Sequence, residues 1–296
     1  MGRRLTVIGT AFAVYLAVGL LFLVTISSVG RGRDTGGALF GPRVAVVELD
    51  GIIVDVDELV RDLKSHRENP VVRAVVVRIN SPGGVVAPTQ ELYGALHQLR
   101  QAGKPVVASL GAVAASGGYY VAVAADQIYA NPGTLTGSIG VIMQLTNFES
   151  LMKKVGVEYV VVKAGQFKDI GNVARPMSPE ERRVLQTLLD DVHSQFVTAV
   201  ADGRKLPRDE VARFADGRVF SGQQAKALKM VDTLGGLDEA INAAANLAGL
   251  PVPPRTIAPR RRMSVYDLLK NWVGLPPAVS LVPALPLFKT PLYLMD

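Results

Sequence analysis

The sequence predicts an α/β protein: a mostly parallel sheet covered on both faces by helices, with a run of helices towards the C-terminal end. Three observations lead there. Residues 44–49, 73–79 and 105–110 are β-branched or apolar almost without a break, as strands are when neither face meets water. Residues 56–66 and 89–101 carry helical spacing between them, the second with Leu92, Leu96 and Leu99 on one face. The chain is 49% hydrophobic but only 6% aromatic, a balance that suits small aliphatic side chains in buried strands and Ala-rich helices.

In order along the chain, residues 31–42 are Gly-rich and polar and read as a linker. The first strand, 44–49, leads through an acidic stretch (Glu48, Asp50, Asp55, Asp57, Glu58) into the first helix. Carboxylates there cap and complement a helix start. The second strand ends in Asn80-Ser81-Pro82-Gly83-Gly84, and the third in a small-residue turn over 111–118 that opens an Ala-rich helix. Residues 127–130, 139–143 and 157–162 are expected as further strands. Beyond Ser178 the pattern is helical over 180–201, 208–215, 222–229 and 237–248. Residues 251–259 hold too many prolines for a regular element. Residues 274–296 are apolar but broken by five prolines, so this tail is expected to be no second membrane span.

Ahead of the linker, Arg3 and Arg4 precede an uncharged stretch over 5–26. As a helix its 22 residues reach about 33 Å, enough for a hydrocarbon core of about 30 Å. The apolar core of a cleaved signal peptide is shorter, about 7–15 residues. The reading is an anchor over 1–30, a linker over 31–42, a folded domain over 43–249 and a tail over 250–296. The net charge of +6 comes from scattered basic residues, with Arg255 and the run 260–262 as the one concentration. No zinc-finger or RNA-binding signature accompanies them, so the expected partner is anionic lipid and not nucleic acid. The chain has no cysteine, which excludes disulfides, thiolate metal sites and a cysteine nucleophile. No HExxH or comparable ligand spacing supports a metal, and no cofactor is expected.

Candidate chemistry concentrates in three segments. The Ser81–Gly84 loop follows a strand, and its glycines let backbone amides approach a ligand. Ser116 sits among Ala114, Ala115, Gly117 and Gly118 at a strand-to-helix turn, a place suited either to a nucleophile beside free amides or to an ordinary N-cap. Lys168 stands in a polar loop. A serine nucleophile needs a base, and His66, His97 and His193 all fall within expected helices. A lysine is the natural alternative. Its free pKa of about 10.4 would have to fall by roughly 3 units for work near neutral pH, which burial can supply.

With those residues in view, the chain resembles the signal peptide peptidase A family in its short, single-repeat form. The resemblance is carried by NSPGG at 80–84, ASGGYY at 115–120, TLTGSIGVI at 134–142, FKDIGNVARPMSPEER at 167–182 and DGRVFSGQQAKALKMVDTLG at 216–235. It implies a crotonase-like (Clp-protease-like) spiral of βα units with C-terminal helices. It further implies Ser116 as nucleophile, Lys168 as general base, Ser138 as the residue that positions the lysine, and the amides of Gly83 and Gly117 as the oxyanion hole. It implies hydrophobic, signal-peptide-like substrates, a single-pass protein with its catalytic domain outside the cytoplasm, and a homo-oligomeric ring with sites shared between subunits. The apolar tail is a candidate pseudo-substrate for the groove. A crotonase-type acyl-CoA enzyme and a non-catalytic membrane scaffold share the fold class and are the alternatives.

Overall fold

The computed structural model describes residues 41–259 together with the backbone of 292–294. The expected anchor, most of the linker and the rest of the tail lie outside these residues. Among the described residues no helix is long and apolar enough to cross a membrane.

The chain opens with β1 (Arg43–Asp50), α1 (Asp57–Glu68), β2 (Val72–Ser81), β3 (Gly83–Val85) and α2 (Val86–Gln101). It continues through β4 (Val106–Ala115), α3 (Gly117–Ala122), β5 (Gln127–Ala130), β6 (Leu135–Gly137) and α4 (Glu149–Val155). Then come α5 (Pro179–Arg204), α6 (Arg208–Ala212), β7 (Val219–Ser221), α7 (Gly222–Ala227), β8 (Thr233–Leu234), α8 (Leu237–Leu247) and β9 (Thr256–Ile257). The last described element is β10 (Leu292–Leu294).

Eight strands form one sheet in the order β7-β6-β4-β2-β1-β9, with β5 also on β4 and β8 on β5. Every pairing is parallel except β6 with β7. The buried runs of β1, β2 and β4 follow from this: Val44, Val46, Ala74, Val76 and Val107 pack under α8, while Ala45, Val47, Val75, Val77, Ala108 and Leu110 face the larger core with Leu92, Leu96, Leu99 and Phe196. The expected α/β class with two covered faces is what the chain adopts.

Several boundaries differ from the sequence expectation, each for a physical reason. β4 does not stop at Leu110. It changes partner midway, pairing through Leu110 with β5 and then over 113–115 with β6, so the strand runs to the residue before Ser116. The expected strand at 139–143 is displaced to Leu135–Gly137, because Ser138 takes φ 50° and ends the extended run. The α2 helix starts three residues early at Val86, with Pro88 in its first turn where a missing N–H costs nothing. Thr256 and Ile257 pair with Val44 and Ala45 despite the prolines around them, since none occupies a paired position. Residues 157–162 form no strand: they have no ladder partner among the described residues, and Val160 and Val162 are 73% and 96% exposed.

Candidate active site

β4 delivers Ser116 to the mouth of the sheet. Its N–H donates to Gly137 O of β6 at 2.8 Å, and its carbonyl accepts the Tyr120 N–H at 2.8 Å, starting α3. The backbone at Ser116 takes φ 52° and ψ −118°, a conformation that costs a non-glycine residue about 1–3 kcal/mol. The side chain makes no cap hydrogen bond. Its Oγ is buried and has no hydrogen-bond partner, and the residue is fully buried. The N-cap reading of this serine therefore does not describe it: the backbone caps and the hydroxyl is left over. A buried polar group without a partner costs about 1–3 kcal/mol.

The loop after β2 packs directly on this turn. A Cβ on Gly117 would stand 3.0 Å from Thr89 Oγ1 and 3.2 Å from both Gly83 Cα and Gly84 N, so a larger residue here would press the two loops apart by a few tenths of an ångström. Thr89 is held by donating to Val85 O at 2.8 Å. One edge of β3 is bonded to Ile53, whose N–H donates to Gly83 O at 2.9 Å and whose carbonyl accepts the Val85 N–H at 2.7 Å. Backbone groups alternate along a strand, so the N–H and C=O of Gly84 face the opposite edge. The Gly83 N–H donates instead to Ser81 Oγ at 3.1 Å. Gly83, the glycine expected to supply an oxyanion-hole amide, thus shapes the turn at φ 108° with its N–H engaged, and the Gly84 N–H is the one that faces the open edge. The free edge of β3 carries β10, antiparallel, with Leu292 opposite Val85, Tyr293 opposite Gly84 and Leu294 opposite Gly83.

Ser138 lies beside Ser116 because Ala115 pairs with Gly137 in the β4–β6 ladder. It is buried, and its N–H donates to Arg218 O at 2.8 Å. Lys168 is exposed, in consecutive turns closed by Lys168 N–H to Gly165 O, Ile170 N–H to Phe167 O and Asn172 N–H to Asp169 O. Among the described residues Ser116 Oγ has no hydrogen-bond partner, so Lys168 makes no hydrogen bond to it. The Lys168 segment is nonetheless anchored. Asp169 accepts from Lys163 and from Arg175 Nε. Arg175 reaches on to both carboxylate oxygens of Glu181, which is buried at the start of α5. Ser178 and Glu181 close a capping box there, with Pro179 next in line. Arg175, and then Lys163, hold the Asp169 carboxyl well below the usual range; Arg175 first, and the Ser178 backbone after it, bring Glu181 down to about 2.

Two of the three histidines have polar partners elsewhere, and the third, His97, is buried with its Nε2 unpartnered. His66 is buried next to Asp62 at 3.4 Å, not solvated as its charged neighbours imply. His193 Nε2 lies 2.8 Å from Ala215 O. His97 packs on Tyr93 with ring centroids 4.5 Å apart, and burial, then Arg100, lowers its pKa. Among the described residues no group of three or more His, Asp or Glu could hold a metal. Sequence reasoning missed Gly84, Thr89 and the Asp169–Arg175–Glu181 chain. Of these only the S-P-E-E capping box left a readable signal.

Residues 98–251 match the model of peptidase family S49. The chain belongs to peptidase family S49. A Synechocystis protein named as a candidate protease, slr0021, is 47% identical over 210 residues, covering 70% of this chain and 75% of that one. Protease 4 of Salmonella typhi is 37% identical over 75% of this chain, which spans only 37% of that longer protein. An Enterococcus faecium protein named as a candidate signal peptide peptidase SppA is 31% identical over 68% of this chain and 62% of its own length. The resemblance to signal peptide peptidase A drawn from the motifs is thus a family membership, and the S49 chain is a protease by family.

Proposed function

We propose that this S49 protease is a membrane-anchored serine endopeptidase that cuts hydrophobic peptides, remnant signal peptides among them, with Ser116 as nucleophile and Lys168 as general base. The observation that carries the reading is the buried, unpartnered hydroxyl of Ser116 on a strained backbone, and the amides of Gly84 and Gly117 are the donors assigned to the oxyanion hole. Lysine, once neutral, takes the Ser116 proton as Oγ attacks the peptide carbonyl. The two amides receive the oxyanion, one such donor being worth about 3–4 kcal/mol. The lysine then protonates the leaving amine, and water hydrolyses the acyl-enzyme. Ser138, beside Ser116, keeps the amine in line.

The base comes from a second copy of the chain in a ring. Two features support this: Lys168 is exposed on an anchored loop while Ser116 lacks any partner, and Phe148, Leu151, Val155, Val160 and Val162 are left in water close by in sequence, an apolar exposure that marks interfaces. The anchor over 5–26 sets the ring on the membrane, with the catalytic domain outside the cytoplasm. The test is subunit mixing. Ser116→Ala and Lys168→Ala are each expected to be inactive, with His97→Ala and His193→Ala active. Co-assembly of the two dead variants is expected to restore part of the activity. No rescue in rings shown to be mixed would put both residues in one chain, and an active Lys168→Ala would end the dyad.

A further inference from the structure

We infer that Ser81 is the positioning residue of the oxyanion hole: its buried hydroxyl holds the Gly83 amide and so fixes where Gly84 stands relative to Ser116. The inference rests on the reading of Ser116 as nucleophile and adds to it the residue that keeps the two oxyanion donors in register.

Ser81 is the last residue of β2 and pairs with Ala114 of β4, two residues before the nucleophile. It is fully buried. It meets both sides of the proposed hole. On one side its Oγ accepts the Gly83 N–H at 3.1 Å. On the other, its carbonyl oxygen would stand 2.8 Å from a Cβ on Gly118, and its own Cβ 3.5 Å from that point. Gly118 follows Gly117 in the first turn of α3, so Ser81 underlies the helix start that carries the second donor.

The backbone groups of the loop explain why this hydroxyl matters. Gly83 O accepts the Ile53 N–H at 2.9 Å. A peptide unit is planar, so this bond orients the unit between Gly83 and Gly84 and aims the Gly84 N–H at the open edge. It leaves the preceding unit, between Pro82 and Gly83, unfixed. That unit has the Gly83 N–H as its one donor, and the unit before it has none, because proline lacks an N–H. Ser81 Oγ is the acceptor. Two planes held from two sides set the torsions between them, with φ at 108° on Gly83, a value glycine takes without strain. Without the hydroxyl, the N–H of buried Gly83 loses its partner. Two adjacent glycines then give the chain many ways to turn that N–H elsewhere, and Gly84 moves with it. Thr89 fastens the far end of the loop by donating to Val85 O at 2.8 Å. That is a bond from a helical side chain to the carbonyl one turn back, and a helix keeps its own backbone bonds when such a bond is lost. Ser81 is the fastening with no backbone substitute.

A misplaced donor weakens the grip on the oxyanion and not on the ground-state peptide. The experiment compares the parent, Ser81→Ala and Ser81→Thr, all as full chains. Each is assayed on a hydrophobic peptide. Each is then titrated with a peptide aldehyde, whose carbonyl carbon Ser116 Oγ attacks to give a hemiacetal, and with the matching peptide alcohol, which binds without adding. Ser81→Ala is expected to lose kcat by about ten- to hundredfold with KM unchanged, somewhat less than the loss on removing an oxyanion donor outright. Its affinity for the aldehyde is expected to fall by a similar factor while its affinity for the alcohol holds. Ser81→Thr keeps the acceptor on a residue suited to a strand and is expected to recover most of both. In the parent, the Gly83 amide is expected to exchange its hydrogen slowly, a readout that needs no variant. An unchanged kcat in Ser81→Ala, aldehyde and alcohol affinities that fall together, a Ser81→Thr as slow as Ser81→Ala, or free exchange at Gly83 in the parent would each overturn the inference. A parent that binds the aldehyde no better than the alcohol, with Ser116 unlabelled by a fluorophosphonate, would instead defeat the nucleophile reading, so the two failures are distinguishable.

Discussion

The anchoring of the Lys168 loop is testable through Arg175→Ala. Glu181 is only 4% exposed, and Arg175 holds both of its oxygens. Removing one partner of a buried ion pair costs about 3–5 kcal/mol, because a charge is left without compensation. Two features reduce that figure. The Arg175 side chain is 34% exposed, and Glu181 keeps the Ser178 N–H at 2.8 Å. Roughly half, about 2 kcal/mol at pH 7, is the expected loss, or about 4–8 °C in Tm for a domain of this size. The pH dependence has a definite sign. Glu181 titrates at about 2 in the folded chain against an ordinary 4.5, chiefly through Arg175. Its contribution is complete above pH 4.5 and is lost as pH falls towards 2. The cost of Arg175→Ala should therefore be largest at neutral pH and shrink towards pH 3. Urea denaturation of parent and variant at both pH values measures it. Peptidase activity should fall further than stability accounts for, since the link to the Lys168 turns is gone, and Arg175→Lys should recover only part, having lost the two-pronged contact. A difference below about 0.5 kcal/mol at pH 7, as exposed pairs give, or one of equal size at pH 3, would refute this account.

Two further outcomes follow from local geometry. Tyr119 is fully buried and donates to Met230 O at 2.9 Å, so Tyr119→Phe should lower the urea-derived stability by about 1–3 kcal/mol while leaving the Ser116 turn able to react with a fluorophosphonate; an unchanged midpoint would deny the hydrogen bond its role. Gly84→Ala puts a Cβ 2.0 Å from Ile53 O, which forces β3 off Ile53; labelling of Ser116 at the parental rate would show that this edge does not shape the site.

The residues that were legible in sequence are those whose signal is local. The β1 and β2 runs, the Leu92–Leu96–Leu99 face of α2, and the small residues around Ser116 each announce themselves within a dozen positions. What sequence could not supply depends on pairing across the chain. Which glycine of the Ser81–Gly84 loop points at the groove is decided by Ile53, some thirty residues upstream, and the alternation of a strand then shifts the answer by one. The same applies to 157–162: β-branched composition predicts a strand, but a strand exists only where a neighbour completes the ladder, and no described residue does so. The ion pairs of Asp169, Arg175 and Glu181 lie six residues apart in each step, a spacing with no helical or strand meaning, so only the folded turn reveals them.

These features meet at one physical point. The chain holds Ser116 in a strained backbone and leaves its hydroxyl buried without a partner, two costs that a purely structural serine would be expected to shed by substitution or by capping its helix. Around it the framework is rigid: glycine packed on glycine, β3 fastened to Ile53, Thr89 fastened to Val85. The supply side is different in kind. The lysine stands on a loop fixed by salt bridges at the surface, and the open edge of β3 is filled by three residues from the far end of the chain. Under the proposed shared dyad, a turn held this firmly need not change its own geometry for activity to be switched: docking of a second copy that brings Lys168 to Ser116 is enough, and the same turn in an isolated chain stays without a base.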